Sequence, residues 1–134
     1  MTNLDKARKL QDRTKTFAVQ IIRFYSTLPQ SDVARIIGRQ LLRSGTSVAA
    51  NYRAVCRSKS QSDFISKIGT VVEETDETLL WLELLIESGL AKNDQTQAIV
   101  VETTELLKIF SKSLLTAKTP TANPDVSFPK SLNH

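Results

Sequence analysis

Apolar residues recur along this chain every three or four positions, in segments that short polar stretches separate. Phe17, Ile21, Phe24 and Leu28 follow a 4, 3, 4 spacing, which places their side chains on one face of a helix. Three later segments show the same period. The pattern predicts four helices, at about residues 12–28, 33–56, 63–88 and 94–117.

The second helix is predicted to have a core face of mixed character. Its apolar positions share that face with Ser44 and Asn51, and residues 44–50, SGTSVAA, are all small. Small side chains let a neighbouring helix approach closely. We therefore expect tight packing at this segment, with Asn51 buried and hydrogen-bonded.

The third helix carries more large apolar residues than one core face needs. At 100° per residue, its predicted core face consists of Phe64, Ile68, Val71, Val72, Leu79, Leu82 and Ile86. Four further apolar residues point elsewhere, namely Leu80, Trp81, Leu84 and Leu85. A surface helix of a monomer rarely exposes so many large apolar side chains. We predict that this helix is buried on two sides, the second by a contact between subunits.

Four helices of similar length, joined by a few residues each, predict an all-α, antiparallel, up-and-down four-helix bundle over residues 1–118. The 134 residues suit one domain. Four glycines and four prolines are too few for the turns of a β-sandwich or barrel. Residues 119–134 hold three prolines and no period, which predicts a disordered or loosely docked tail.

Charge is divided unevenly between the two halves of the chain. The formal net charge is +4, but residues 1–62 carry 12 Lys/Arg and 3 acids, whereas residues 63–134 carry 6 and 11. The segment from Val33 to Ser62 has no acid and supplies six cations, which are Arg35, Arg39, Arg43, Arg53, Arg57 and Lys59. Its five arginines fall within about 80° around the helix and form one stripe.

Three interpretations of this arginine stripe stay open. Guanidinium groups match phosphate oxygens bidentately, so the stripe can follow the backbone of RNA or DNA. The arginines can instead pair with the acidic face of the third helix, in the same or a neighbouring subunit. They can also form a solvated surface that has no partner.

The acidic face of the third helix mixes carboxylates with apolar residues. Leu80 and Leu84 lie among Glu73, Glu77 and Glu87 at helical spacing, and an apolar centre with a charged rim is typical of a subunit interface. Carboxylate-bridged metal sites in bundles use Glu-x-x-His pairs, which this chain lacks. We expect no metal and no cofactor.

The sequence gives little support to an enzyme or a membrane protein. The single cysteine, Cys56, has no histidine near it in sequence, and the four glycines are isolated rather than grouped in a phosphate-binding loop. The N-terminal segment lacks the apolar core of a signal peptide, and no run is long enough to span a membrane. We expect a non-enzymatic cytoplasmic protein.

A resemblance to a known family is carried by residues 44–90, which read SGTSVAANYRAVCRSKSQSDFISKIGTVVEETDETLLWLELLIESGL. This segment resembles the signature of four-helix-bundle proteins that are encoded in intervening sequences of large-subunit ribosomal RNA genes. The upstream segment RTKTFAVQIIRFYSTLP resembles the first helix of that family, and the resemblance spans roughly residues 13–117. Many members read S-N-I-A-E-G where residues 50–55 read ANYRAV, so only Asn51 is retained.

The resemblance implies a four-helix bundle assembled as a homopentameric ring, without enzymatic activity. Family members are similar in fold to the accessory protein of diversity-generating retroelements, a pentameric basic barrel that engages a reverse transcriptase and nucleic acid. We therefore expect an oligomeric accessory protein whose second helix contacts RNA, DNA or a nucleoprotein partner and whose third helix contacts another copy. The alternative is a structural or protein-binding scaffold whose arginines form salt bridges between subunits.

Overall fold

The computed structural model describes residues 2–92 and 94–119, and these residues form four α-helices and no strand. The helices are α1 (Asn3–Tyr25), α2 (Asp32–Val55), α3 (Gln61–Glu87) and α4 (Asp94–Lys118). The all-α, four-helix prediction is therefore confirmed. The tail predicted at residues 119–134 lies, except for Thr119, outside the described residues.

Side-chain caps set where the first three helices begin. The Thr2 hydroxyl accepts a hydrogen bond from the Asp5 amide, and the Asp5 carboxylate accepts one from the Thr2 amide, which forms a capping box. Ser31 and Ser60 cap α2 and α3 by accepting from the amides three residues later. Beyond the end of α3, Gly89 has a φ of 79°, a left-handed conformation that favours glycine.

The first helix is longer than the apolar period predicts. α1 begins at Asn3 rather than near Asp12, while the other helix bounds lie within three residues of those predicted. The capping box stabilises the earlier start, and only Ala7 and Leu10 of this added part pack against the core. Two apolar contacts are too few to show a period in the sequence.

Helices that follow one another in the chain pack side by side and run in opposite directions. α1 and α4 meet less extensively than the other neighbouring pairs. A bidentate ion pair joins them, because Arg13 donates to both carboxylate oxygens of Glu102 at 2.8 and 2.7 Å. Each helix contributes to one core, whose fully buried side chains include Phe17, Leu41, Leu82 and Phe110.

The buried face of α3 differs from the one that the apolar pattern predicts. Its buried residues follow a 4, 3 spacing, and they are Phe64, Ile68, Val71, Thr75, Thr78, Leu82 and Leu85. Leu85, predicted on the second face, is therefore a core residue. Val72, Leu79 and Ile86, predicted in the core, are half-buried.

Two threonines occupy the core of α3 with their hydrogen bonds made. The Thr75 hydroxyl donates to the Val71 carbonyl at 2.7 Å. The Thr78 hydroxyl lies 2.7 Å from the Glu74 carbonyl and 2.9 Å from the Ser44 hydroxyl of α2. Because both residues are polar by type, a search for apolar positions leaves them out, and the predicted stripe is right only at Phe64, Ile68, Val71 and Leu82.

A glycine of α2 lets α1 approach closely. A Cβ atom added at Gly45 would lie 2.9 Å from two carbons of Ile21, closer than packed side chains allow. The tight packing predicted for the small-residue segment is therefore present. Asn51 is half-buried rather than buried, and its side-chain amide donates to the Ser47 carbonyl at 2.8 Å.

Candidate nucleic-acid interface

The six predicted cations all lie on the surface of the protein. Four project from α2 and two from the turn that follows it, and the exposed set is Arg35, Arg39, Arg43, Arg53, Arg57 and Lys59. α2 is a single helix over its whole length. The four arginines on α2 therefore form one line along its outer side, opposite the buried stripe, and Arg57 follows in the turn.

Two of these arginines form ion pairs within the chain. Arg43 donates to Glu74 at 3.3 Å and to Glu77, both on α3. Arg35 donates to Asp32 at 2.6 Å in the first turn of α2. Exposed pairs of this kind contribute only about 0–1 kcal/mol to stability, but they place carboxylates beside these two arginines. Pairing with α3 in the same subunit, one of the three interpretations, thus occurs at Arg43.

The other four of the six predicted cations form no ion pair with any residue in the described part of the chain. They are Arg39, Arg53, Arg57 and Lys59. Three of these four lie at the C-terminal end of α2 or just after it. Positive charge is therefore least compensated at that end of the bundle.

α1 adds two cations that the sequence analysis missed. The contact of Gly45 with Ile21 fixes the register of the antiparallel pair, so Lys15 and Arg8 lie level with the C-terminal part of α2. Both are exposed and seven residues apart, a spacing that puts them on one side of α1. The spacing of seven residues is visible in the sequence, but Asp12 lies between the two cations and lowers the net positive charge of this segment. We define the open basic face as Arg8, Lys15, Arg39, Arg53, Arg57 and Lys59.

The outer face of α3 contains the residues predicted to contact another subunit. Leu80 and Leu84 are 46% and 39% exposed. Glu73 and Glu87 are exposed on the same helix and form no ion pair among the described residues. This surface therefore combines apolar area with uncompensated negative charge.

The fifth residue of the predicted contact is already engaged within the chain. Glu77 is half-buried and accepts hydrogen bonds from Arg43 and, at 3.3 Å, from the Trp81 indole N–H. It joins α2 to α3 and orients Trp81. Glu77 consequently has less freedom to bind another molecule than Glu73 or Glu87.

An exposed apolar residue of α2 lies beside this face. The Ser44 hydroxyl bonds to Thr78 of α3 at 2.9 Å, and this register puts Ile36 level with the C-terminal end of α3. Ile36 is 65% exposed. The sequence analysis missed it because the adjacent Ile37 satisfies the period of the core face.

Cys56 packs in the core and is closed to solvent. Its side chain is 2% exposed, and burial raises the pKa of the thiol to about 11. The thiol therefore stays protonated near neutral pH and is a poor nucleophile. Burial also raises the pKa of the neighbouring Tyr52 hydroxyl, and the Tyr52 ring lies 5.4 Å from that of Phe110.

Other kinds of site find little support in the described part of the chain. Within residues 2–92 and 94–119, no three His, Cys, Asp or Glu side chains come together as a metal site. The helices described include none that is long and apolar enough to cross a membrane. A cleft of about 240 Å³ lined in part by Tyr25, Leu28 and Arg35 is smaller than most ligand pockets, which hold about 300–1,000 Å³.

Comparison with known proteins agrees with the fold. The chain is similar to a protein of unknown function from the S23 ribosomal protein family of Bacteroides thetaiotaomicron, with 35% identity and a TM-score of 0.72 in its crystal structure. The match covers 81% of this chain and 98% of that one. No curated protein matches the chain. The family model of 23S rRNA-intervening sequence proteins matches residues 6–112, and the chain therefore belongs to that family.

Proposed function

We propose that this protein is a non-enzymatic, oligomeric accessory protein that associates with nucleic acid through its open basic face. The observation that carries the proposal is the exposure of Arg39, Arg53 and Arg57 without a carboxylate partner among the described residues. No acid occurs from Val33 to Ser62. A ligand with many negative charges fits such a surface best.

Phosphate is the anion that suits these side chains. The planar guanidinium group offers paired N–H donors whose spacing matches two phosphate oxygens. Each phosphate that a cation neutralises also releases condensed counterions, which favours binding at low salt. These contacts position a nucleic acid but read no base, so the face is expected to bind different sequences about equally.

Assembly is the second part of the proposal, and it assigns the outer face of α3 to the contact between subunits. In a twofold contact, this face would meet its own copy, and Glu73 and Glu87 would face like charges. A heterologous contact avoids that repulsion because α3 meets a different surface of the next copy. Repeated contacts of this kind form a ring when the rotation between neighbours closes, which is the arrangement of the homopentameric ring implied by the resemblance.

The alternative is a purely structural or protein-binding scaffold. In that arrangement, Glu73 and Glu87 of one subunit pair with Arg39, Arg53 or Arg57 of the next. The pairing of Arg43 with Glu74 within the chain supports it, since it brings an α2 arginine and an α3 carboxylate together. The two functions differ in whether the open basic face stays accessible in the assembly.

Absence of catalysis and a cytoplasmic location belong to the same proposal. The one nucleophilic side chain that the sequence singles out, Cys56, is buried and protonated near neutral pH. A free thiol in a chain with a single cysteine suits a reducing compartment.

Replacing Arg39, Arg53 and Arg57 with glutamine tests the proposal against its alternative. We expect filter binding at low salt to show that this triple variant binds mixed-sequence RNA and DNA about tenfold or more weakly. Light scattering after size-exclusion chromatography is expected to show unchanged assembly. The scaffold instead predicts that the unmodified protein binds neither nucleic acid and that the triple variant dissociates.

A matched control uses exposed cations away from the open basic face. Lys108 and Lys112 are exposed on α4, and replacing both with glutamine removes charge without touching α1 or α2. We expect this variant to bind nearly as well as the unmodified protein. An equal loss in the control would show that binding depends on net charge alone and would contradict the assignment of the face.

A further inference from the structure

We infer that the open basic face takes base-paired nucleic acid, held through its phosphates, in preference to single strands. This inference rests on the proposed function and names the class of nucleic acid. It follows from the spacing of the cations, from the small residues between them and from the positions of the aromatic side chains.

The cations of the open basic face are separated into two groups along the direction of α2. Arg39 lies in the first half of α2, whereas Arg53 lies in its last turn and Arg57 in the turn that follows it. At 1.5 Å per residue, the Cα atoms of Arg39 and Arg53 are about 21 Å apart along the helix axis. α1 adds Lys15 and Arg8 near the second group only.

The surface between the two groups carries no unpaired cation from the described residues, because Arg43, which lies there, is paired with Glu74 and Glu77 of α3. Thr46 and Ala50 occupy the outward positions there, at the same helical angles as the arginines to within about 40°. Their small side chains leave room for a wide ligand to lie across the helix. A ligand that reaches both groups must therefore span about 21 Å without support from an unpaired cation in between.

A duplex spans this gap at little cost. Double-stranded DNA is stiff over about 50 nm, so its phosphates are already fixed over the distance between the groups. A flexible single strand would have to be ordered across the same gap and would lose conformational entropy. The rigid ligand keeps more of the binding free energy that the phosphate contacts provide.

Proteins that bind single strands usually offset the entropy lost on ordering the strand by stacking its bases on aromatic side chains. In the described residues, five aromatic side chains are buried, namely Phe17, Phe24, Phe64, Phe110 and Tyr52. Tyr25 and Trp81 are half-buried, and Trp81 lies on α3 with its N–H on Glu77. Within the described chain, therefore, the open basic face offers cations and no stacking platform.

Competition between ligands of equal charge tests the preference. The full chain is titrated with labelled duplexes of about 20 base pairs, one of RNA and one of DNA, and with an unstructured thymidine strand of about 40 nucleotides, which carries a similar number of phosphates. We expect fluorescence anisotropy to show that either duplex binds about tenfold or more tightly than the strand. Equal or tighter binding of the strand overturns the preference while leaving the proposed function intact. No binding of any of the three ligands overturns both.

Two variants connect the preference to this face. Replacing Arg53 and Arg57 with glutamine is expected to weaken duplex binding about tenfold and to narrow the difference between duplex and strand. Replacing Phe128 with alanine removes the one aromatic residue outside the described segments and is expected to change neither affinity. A duplex preference that survives the loss of both arginines would contradict the assignment.

Discussion

The two central helices, α2 and α3, each bury one side in the core, but they carry different residues on their outer sides. Both bury a stripe of residues at a 4, 3 spacing over similar lengths. The α2 stripe contains small residues such as Ala34, Gly38 and Gly45, whereas the α3 stripe contains larger residues and two threonines. Outside, α2 carries free arginines, and α3 carries leucines among carboxylates.

This difference shows how one bundle can separate two kinds of contact. The core fixes only one side of each helix, so the opposite side is free to carry charge or apolar area. Close packing of α2 on α1 brings two cation-bearing helices together, which concentrates positive charge. α3 instead exposes a surface suited to a protein neighbour. Each of the following variants alters one of these helices and is compared with a control variant.

The largest effect is expected from filling the close contact of α2 with α1. A Cβ at Gly45 would already lie 2.9 Å from two carbons of Ile21, so Gly45→Leu forces the helices apart. Overpacking of this kind lowers the free energy of unfolding by about 3 kcal/mol. Urea denaturation followed by circular dichroism measures the change.

A glycine of α3 gives the matched control for this variant. A Cβ at Gly69 would have no atom within 4 Å, so Gly69→Ala removes only the flexibility of glycine. We expect the free energy of unfolding to rise by about 1 kcal/mol. A Gly45→Leu variant as stable as the unmodified protein would show that α1 and α2 are not held in close contact.

The outer face of α3 is tested by replacing Leu80 and Leu84 with glutamate. Both side chains are exposed in the single chain, so the variant should fold, while charge at the subunit contact should yield a smaller species. Light scattering at tens of micromolar measures the size. Val101→Glu is the control, because Val101 is 60% exposed on α4. We expect this substitution to leave assembly unchanged. An unmodified protein that is already monomeric would contradict this assignment of α3.

A smaller effect is expected from releasing Arg43 from α3. Replacing Glu74 and Glu77 with glutamine removes both of its carboxylate partners and adds a free cation to the stripe. We expect duplex binding to strengthen about threefold and the free energy of unfolding to fall by less than about 1 kcal/mol. Fluorescence anisotropy and urea denaturation on the same samples measure the two effects.

The control for the release of Arg43 removes two other negative charges of α3. Asp76→Asn with Glu83→Gln takes away two exposed carboxylates that form no ion pair among the described residues. If this pair of changes strengthens binding as much as the release of Arg43 does, the gain comes from net charge rather than from the stripe.

Much of the fold could be predicted from the sequence because periodicity, caps and short connections agree. The helix bounds and the close approach at residues 44–50 follow from such local signals. The core face of α3 could be predicted only in part, since the apolar pattern does not reveal that Thr75 and Thr78 are buried with their hydrogen bonds made. The early start of α1 was missed because only two residues of its first part, Ala7 and Leu10, pack against the core, which is too few to show a period.

The residues of the candidate site could be predicted from the sequence, but their ion pairs could not. The segment from Val33 to Ser62 contains six cations and no acid, and the helical spacing of its arginines predicts one stripe. Which of them keep a free charge depends on neighbours from another helix, as the pairing of Arg43 with Glu74 shows. The contribution of Arg8 and Lys15 depends on the register of α1 against α2, which only the folded chain defines.

The central claim is that Arg39, Arg53 and Arg57 contact phosphates, and the salt dependence of duplex binding tests it most directly. Each phosphate contact contributes about 0.9 to the slope of log Kobs against log salt. Replacing all three arginines with glutamine is therefore expected to reduce the magnitude of that slope by about three, and to do so equally for unrelated sequences. An unchanged slope, or no duplex binding by the unmodified protein at low salt, would contradict the claim.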